Sequence, residues 1–227
     1  MKKILVLADI HGHVGELGEV LASNPGISLI LVAGDLTNFG SAEAAARVLA
    51  ELKAAPGTPA IALVPGNCDP VSARREFDAS GYSVDGALRD FAFCRVAGSG
   101  GGLRRAGITS FERTEAELRA GLEEALQGRP VGQSDIPLIV LTHSPPYGTN
   151  ADSVRGFHSG SMAFADLMSS TMPAIWVCGH IHESRCVSLE DGTLVVNPGP
   201  CASGCYAVIE IKEGPGLPKL TGAYLSL

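Results

Sequence analysis

Four of the six histidines in this 227-residue chain stand in short motifs that pair them with glycine, aspartate or threonine. In chain order the chemistry-bearing motifs are Asp9-Ile10-His11, Gly34-Asp35, Gly66-Asn67-Cys68-Asp69, Thr142-His143 and Gly179-His180-Ile181-His182. Carboxylate, carboxamide and imidazole donors in such a set suit borderline or hard divalent ions, manganese, iron, zinc or nickel, better than a soft-metal site. In an extended or turning segment the side chains at i and i+2 can face the same side, so Asp9 with His11, and His180 with His182, can each converge on one ion. Asp9-x-His11 alone is a weak signal and Gly34-Asp35 alone is nearly none. A single histidine in such a place is more often structural; four of them, ordered with two aspartates and an asparagine, reverse that reading.

The motifs gain weight from what precedes them. Ile4–Ala8, Leu29–Ala33 and Ala60–Val64 are continuously apolar, the pattern of strands buried on both faces. Between them, Val14, Leu17, Val20 and Leu21 mark one helical face, and Ala44 to Leu52 another, opened by Ser41 as N-cap. Ile136–Leu141 and Ile175–Cys178 read as two more buried strands, and Thr114 with Glu117 forms a capping box for a helix to about Leu126. The alternation predicts an α/β fold with parallel strands, and ligands in such folds gather outside the carboxyl ends of the strands. Each of the five motifs follows one of these five strands. Phe91–Ala97 and Leu103–Phe111 are expected to form a hairpin around the Gly98–Gly102 cluster, which lacks the lysine of a phosphate loop. Thr193–Val196, Tyr206–Ile211 and Leu220–Leu225 are expected to close the chain as an antiparallel meander. No repeat or composition shift divides the sequence, and residues 1–227 are read as one domain.

Composition narrows the partners. The 17 basic and 24 acidic residues leave a net charge of −7, a poor match for nucleic acid or an anionic membrane. No apolar run approaches the ~18 residues of a membrane span. Met1-Lys2-Lys3 before Ile4–Ala8 resembles a signal peptide, but the apolar stretch is too short and ends at Asp9. The six cysteines contain no CxxC pair and read as reduced thiols, so a cytoplasmic protein is expected.

The ordered motifs from Asp9 to His182 resemble those of the calcineurin-like metallophosphoesterase superfamily, in the small bacterial and archaeal type that carries Gly-Asn-Cys-Asp. That resemblance implies a four-layer α/β/β/α sandwich, two mixed β-sheets flanked by helices, with a dinuclear metal centre. It implies one metal on Asp9, His11 and His182, a second on Asn67, His143 and His180, and Asp35 bridging them, with a bridging hydroxide as nucleophile. Manganese is the first expectation for both ions. The implied activity is hydrolysis of a small phosphodiester or phosphomonoester; the alternatives are a nuclease of the same superfamily and a non-catalytic scaffold on this fold. A homo-oligomer is compatible with the sequence.

Two departures from the family pattern stand out. Cys68 replaces the histidine of Gly-Asn-His-Asp/Glu, which is assigned to leaving-group protonation or phosphate binding, and Gly34-Asp35-Leu36 lacks the Asp-Arg-Gly of Ser/Thr protein phosphatases. The catalytic candidates that remain are Asn67, His13 and His158. Asp69 is expected to orient the histidines, and Ser144, Tyr147, Asn150 and Arg155 to line the pocket. Asn197-Pro198-Gly199-Pro200 reads as a turn.

Overall fold

Strands with no polar face must be covered on both sides, and the computed structural model, which describes residues 1–104, 107–127, 136–212 and 219–227, covers them in layers. The chain runs β1 (Lys2–Leu7), α1 (Val14–Ser23), β2 (Leu29–Ala33), α2 (Ala42–Lys53), β3 (Ala60–Val64) and α3 (Val71–Ala79). It continues through β4 (Leu88–Phe91), β5 (Cys94–Ser99), β6 (Gly102–Leu103), β7 (Glu112–Arg113), α4 (Glu115–Leu126) and β8 (Leu138–Thr142). It ends with β9 (Ser153–Val154), β10 (Phe157–His158), α5 (Met162–Thr171), β11 (Ile175–Val177), β12 (Cys186–Glu190), β13 (Thr193–Asn197), β14 (Tyr206–Lys212) and β15 (Lys219–Ser226). One five-stranded sheet has the order β15-β14-β1-β2-β3 and a six-stranded sheet the order β12-β13-β11-β8-β5-β4. In the first, β1, β2 and β3 are parallel; in the second, β13, β11, β8 and β5 are. Antiparallel edge strands make both sheets mixed.

Side-chain alternation separates three cores. Leu5, Leu7, Ile30, Val32, Ile61 and Leu63 face Leu17, Val48, Leu52 and Phe77 of α1 to α3. Their neighbours Ile4, Val6, Leu29, Leu31, Ala62 and Val64 face Val96, Ile139, Leu141, Ile175 and Val177 of the other sheet. On the far side, Val140, Trp176 and Val195 meet Leu118 and Leu122 of α4 and Phe164 and Leu167 of α5. Three apolar seams define four layers, α/β/β/α. The caps follow the sequence: the Ser41 hydroxyl accepts from Ala44 N–H, and Thr114 and Glu117 bond reciprocally.

Some expectations are corrected. The hairpin lies one strand earlier, β4 against β5, while Gly102–Leu103 pairs in parallel with Glu112–Arg113; residues 105 and 106 of the expected second strand lie outside the described residues. The glycine cluster is a close crossing of chains rather than a hairpin turn, for a Cβ on Gly98 would sit 2.6 Å from the Val84 carbonyl oxygen and 2.7 Å from a Val64 methyl. The closing meander is split between sheets. Thr193–Asn197 pairs with β12 and, in parallel, with β11, whereas Tyr206–Lys212 pairs with β1 and β15. Helices α3 and α5 escaped the pattern, because α3 buries only Ala73 and Phe77 and α5 is apolar on most of its surface. No helix among the described residues is long and apolar enough to cross a membrane.

The third core turns on Trp176, which is fully buried, packs against the Phe164 ring at 5.6 Å and donates its indole N–H to Thr142 Oγ1 at 2.9 Å. Trp176→Ala is expected to cost about 3–5 kcal/mol, read as a lower urea midpoint by circular dichroism. An unchanged midpoint would show that this seam does not depend on the indole.

Candidate metal centre

Because the strands of both sheets run parallel at their centres, their carboxyl ends meet at one edge of the inter-sheet seam. β1 delivers Asp9 and His11, β2 Asp35, and β3 Asn67 from the first sheet; β8 delivers His143, and β11 His180 and His182, from the second. Hydrogen bonds tie the two sheets together there. His180 N–H donates to Asp9 Oδ2 at 3.1 Å, and His143 Nδ1 lies 2.8 Å from the Ala33 carbonyl oxygen. Within the second sheet, Gly179 N–H donates to the His143 carbonyl at 3.0 Å. A carbonyl can only accept, so Nδ1 of His143 carries the proton and Nε2 is left to face the site.

The turns that aim these side chains are conformationally costly. Asp9 (φ 53°), His11 (φ 49°), Asp35 (φ 50°) and His180 (φ 71°) all occupy the left-handed region. Such backbone costs on the order of 1–3 kcal/mol per residue and persists only where its surroundings impose it. Gly66 shows the crowding that does so, since a Cβ there would run into the Asp35 carboxylate and backbone.

Three groups of ligand atoms lie within 4.8 Å of one another among the described residues: Asp9 with His11 and His182; His11 with Asp35 and Cys68; Asp9 with Asp35 and His143. Asp35 Oδ2 stands 3.9 Å from His11 Nε2 and 3.5 Å from His143 Nε2, between the two histidines, and its Oδ1 accepts from Cys68 N–H at 2.7 Å. Asn67 Oδ1 is 2.9 Å from His143 Nε2. His182 Nε2 lies 3.4 Å from Asp9 Oδ1. His180 joins through its ring, 4.9 Å from that of His143.

The donor set fits divalent cations. Among the described residues His11 Nδ1 is buried with no hydrogen-bond partner, and Asp9 Oδ1 is buried with nothing nearer than the long 3.4 Å approach of His182 Nε2, arrangements that cost about 1–3 kcal/mol each unless something else satisfies them. Burial alone would raise the Asp35 carboxyl, but the charge and hydrogen bond of His143, the Cys68 N–H and the charge of His11 outweigh it and hold it well below the usual carboxylate range. Against its own burial, His143 is pushed up to about 9 by Asp35 and Asp9. Burial and the charge of His143 push His180 down to about 4.

Asp69 does not orient the histidines. Fully buried, it accepts from Leu36 N–H, from Thr37 N–H and hydroxyl, and from Gly66 N–H, and so clamps the loops that carry Asp35 and Asn67. Asn197 does for the second sheet what Asp69 does for the first: its amide donates to the Ile181 carbonyl at 2.9 Å. His13 occupies the N-cap position of α1 without a side-chain capping bond, half exposed, with Nδ1 3.6 Å from Glu16. His158 pairs with Asp152 at 2.7 Å and lies in the β9–β10 ladder. Ser144 Oγ accepts from Leu103 N–H and Asn150 donates to Glu190. The cavity beside the centre, about 110 Å³, is lined by Asn67 and His180 with Gly102, Leu103, Thr109 and Glu112. Thr109, Glu112 and Asp152 escaped sequence reasoning; the only signal for Asp152 is an acid in the histidine-bearing loop after His143.

The chain belongs to the calcineurin-like phosphoesterase family, whose sequence model matches residues 2–184. It is 30% identical over 216 residues to the uncharacterized protein MJ1162 of Methanocaldococcus jannaschii, covering 93% of both chains. Its fold is shared with TT1561 of Thermus thermophilus (TM-score 0.70, 20% identity, 92% of this chain and 93% of that one). It is shared also with a dimetal phosphatase from Danio rerio (TM-score 0.64, 12% identity, 99% and 98%). This is therefore a metallophosphoesterase chain, of a family that uses divalent metals.

A proton on His143 must leave before Nε2 can ligate, whereas Asp35 is already ionised and His180 already neutral at pH 7 to 8. Adding Mn²⁺ to the metal-free protein in this range is expected to release protons, first from His143 and in part from His182, which its hydrogen bond to Asp9 also holds above the ordinary imidazole range, with apparent affinity falling as pH falls. Titration in dilute buffer with a pH dye measures it. Release of no proton would overturn His143 as the group that exchanges one for metal.

Proposed function

We propose that this chain hydrolyses a small phosphodiester, or a phosphomonoester, with two divalent ions held at the sheet edge. The observation that carries the reading is the single carboxylate of Asp35 set between His11 and His143, with Asp9 reaching both groups of donors. One shared carboxylate is the simplest way to keep two cations within about 4 Å. Asp9, His11 and His182 would hold one ion, Asn67, His143 and His180 the other, with Asp35 common to both. Ions so placed supply Lewis acidity, neutralising phosphoryl oxygens and making water acidic enough to attack. The chain's own part is to hold the donors rigidly. Ala33 fixes the His143 tautomer and Asp69 fixes the loops. The 110 Å³ cavity suits one small ester group, and the net charge of −7 argues against nucleic acid.

Cys68 shapes the choice among esters. Burial first, and then the neighbouring Asp35, push its thiol far above the ordinary range, so it is a neutral, weak donor beside the donor set. It offers no positive charge to the second negative charge of a monoester, and a diester preference follows.

Purified protein is expected to carry two ions per chain by elemental analysis, Asp35→Ala to lose both, and His182→Ala to lose mainly one. Equal metal content in wild type and Asp35→Ala would sink the shared-carboxylate assignment. Chelation should abolish turnover of bis(4-nitrophenyl) phosphate and Mn²⁺ restore it; activity that survives full metal removal would refute the mechanism. In matched metal-loaded samples, Cys68→His should raise kcat/KM for 4-nitrophenyl phosphate more than for the diester. An unchanged ratio would show that this position does not discriminate.

A further inference from the structure

The loop after β8 is built around a buried charge that the metal centre does not use. Asp152 has no exposed surface. Its Oδ2 accepts from Gly148 N–H at 3.1 Å and Gly160 N–H at 2.9 Å, and its Oδ1 lies 2.7 Å from His158 Nδ1. Burying a carboxylate is expensive unless it is fully bonded, and these three donors hold it where it fixes one imidazole. His158 itself is 37% exposed, with a ring 5.5 Å from that of Tyr147 and no partner on Nε2 among the described residues. A carboxylate that holds Nδ1–H sets the tautomer and leaves Nε2 as the atom that can trade a proton.

The position of this pair relates it to the centre. His158 is paired with Ser153, whose carbonyl accepts from the hydroxyl of Ser184 at 2.8 Å, in the turn that begins with His182. From the other side, Tyr147 comes from the strand exit that carries His143, and its N–H donates to the Ser161 carbonyl, while Ser161 N–H donates to that of Pro145. The backbone that carries His158 is thus strapped to both loops through which the second sheet supplies its histidines, and its imidazole is held within that loop by Asp152 and the Tyr147 ring. It also stands in a chain whose Cys68 is unsuited to protonating a leaving group.

We propose that His158 is the general acid of the phosphoesterase reaction and that Asp152 is its positioning residue; the assignment rests on the function proposed above. In the step, hydroxide derived from water bonds to phosphorus and the ester P–O bond breaks. The bond's electron pair goes to the departing oxygen, which takes the proton from Nε2 of the imidazolium. The imidazole stays neutral with Nδ1–H on Asp152, and recovers the proton released when water became hydroxide. Proton donation of this kind contributes typically 10²–10⁴-fold, and most where the departing oxygen is basic.

The test is a series of methyl aryl phosphodiesters whose phenols run from acidic 4-nitrophenol to unsubstituted phenol, measured at equal metal content. His158→Gln should lower kcat for the phenyl ester about 10²-fold more than for the 4-nitrophenyl ester, steepening the dependence on the leaving group. Asp152→Asn should steepen it less, and added imidazole should restore part of the phenyl-ester turnover of His158→Ala. A pair that only staples the β9–β10 ladder would lower the melting temperature and leave the slope unchanged, and an unchanged slope with no rescue overturns the proposal. A metal-loaded wild type inert toward the whole series would overturn the phosphoesterase reading itself.

Discussion

Two buried carboxylates, Asp9 and Asp35, have to share one small volume with each other and with three or more imidazoles. Like charges at that separation in a dry interior repel strongly, and each carboxylate also loses its hydration. Backbone N–H groups offset part of this: His180 N–H on Asp9 and Cys68 N–H on Asp35. The rest falls to positive charge, a proton on His143 or cations in its place. Much of the fold can be understood as the apparatus that makes so unfavourable a gathering stand still.

That apparatus has two parts. The apolar layers fix the strands, since side chains alternating between the helix cores and the central seam leave no register but one. The turns at the strand ends then convert strand position into side-chain position, and here the chain accepts left-handed backbone at Asp9, His11, Asp35 and His180. Asp69 and Asn197, outside the donor groups, clamp those turns from below, one for each sheet. Their place in the motifs Gly66-Asn67-Cys68-Asp69 and Asn197-Pro198-Gly199-Pro200 reflects backbone hydrogen bonding rather than ligation.

What could be read in the sequence follows from which physics is local. Continuous apolar strands, helix caps such as Thr114 with Glu117, and the residues just past each strand are local signals, and all three survive in the structure. Pairings between distant segments are not local. The order of β13 in one sheet and β14 in the other depends on the chain crossing the seam through residues 197–205, and nothing in the composition of that stretch says so. The glycine cluster misled for a similar reason: glycine serves tight turns and close crossings alike, and only Val84 and Val64, distant in sequence, decide between them. Asp152 escaped because its meaning lies in two glycine N–H groups and one imidazole that fold around it.

The seam between the sheets is not uniform, and this has a mechanical consequence. Along most of its area it is apolar contact, which is attractive but has no preferred direction along the sheets. At the edge that carries the histidines it is stitched by directional bonds, His143 to Ala33 and His180 to Asp9. The opposite rim is held more sparsely, by Arg89, which donates to the Ile61 carbonyl at 3.1 Å, and by Lys2, which lies 5.9 Å from the centre of the Phe93 ring. Apolar contact thus supplies the attraction between the sheets, while directional bonds at both rims set how one lies on the other, and the densest of them fall where the donor side chains gather.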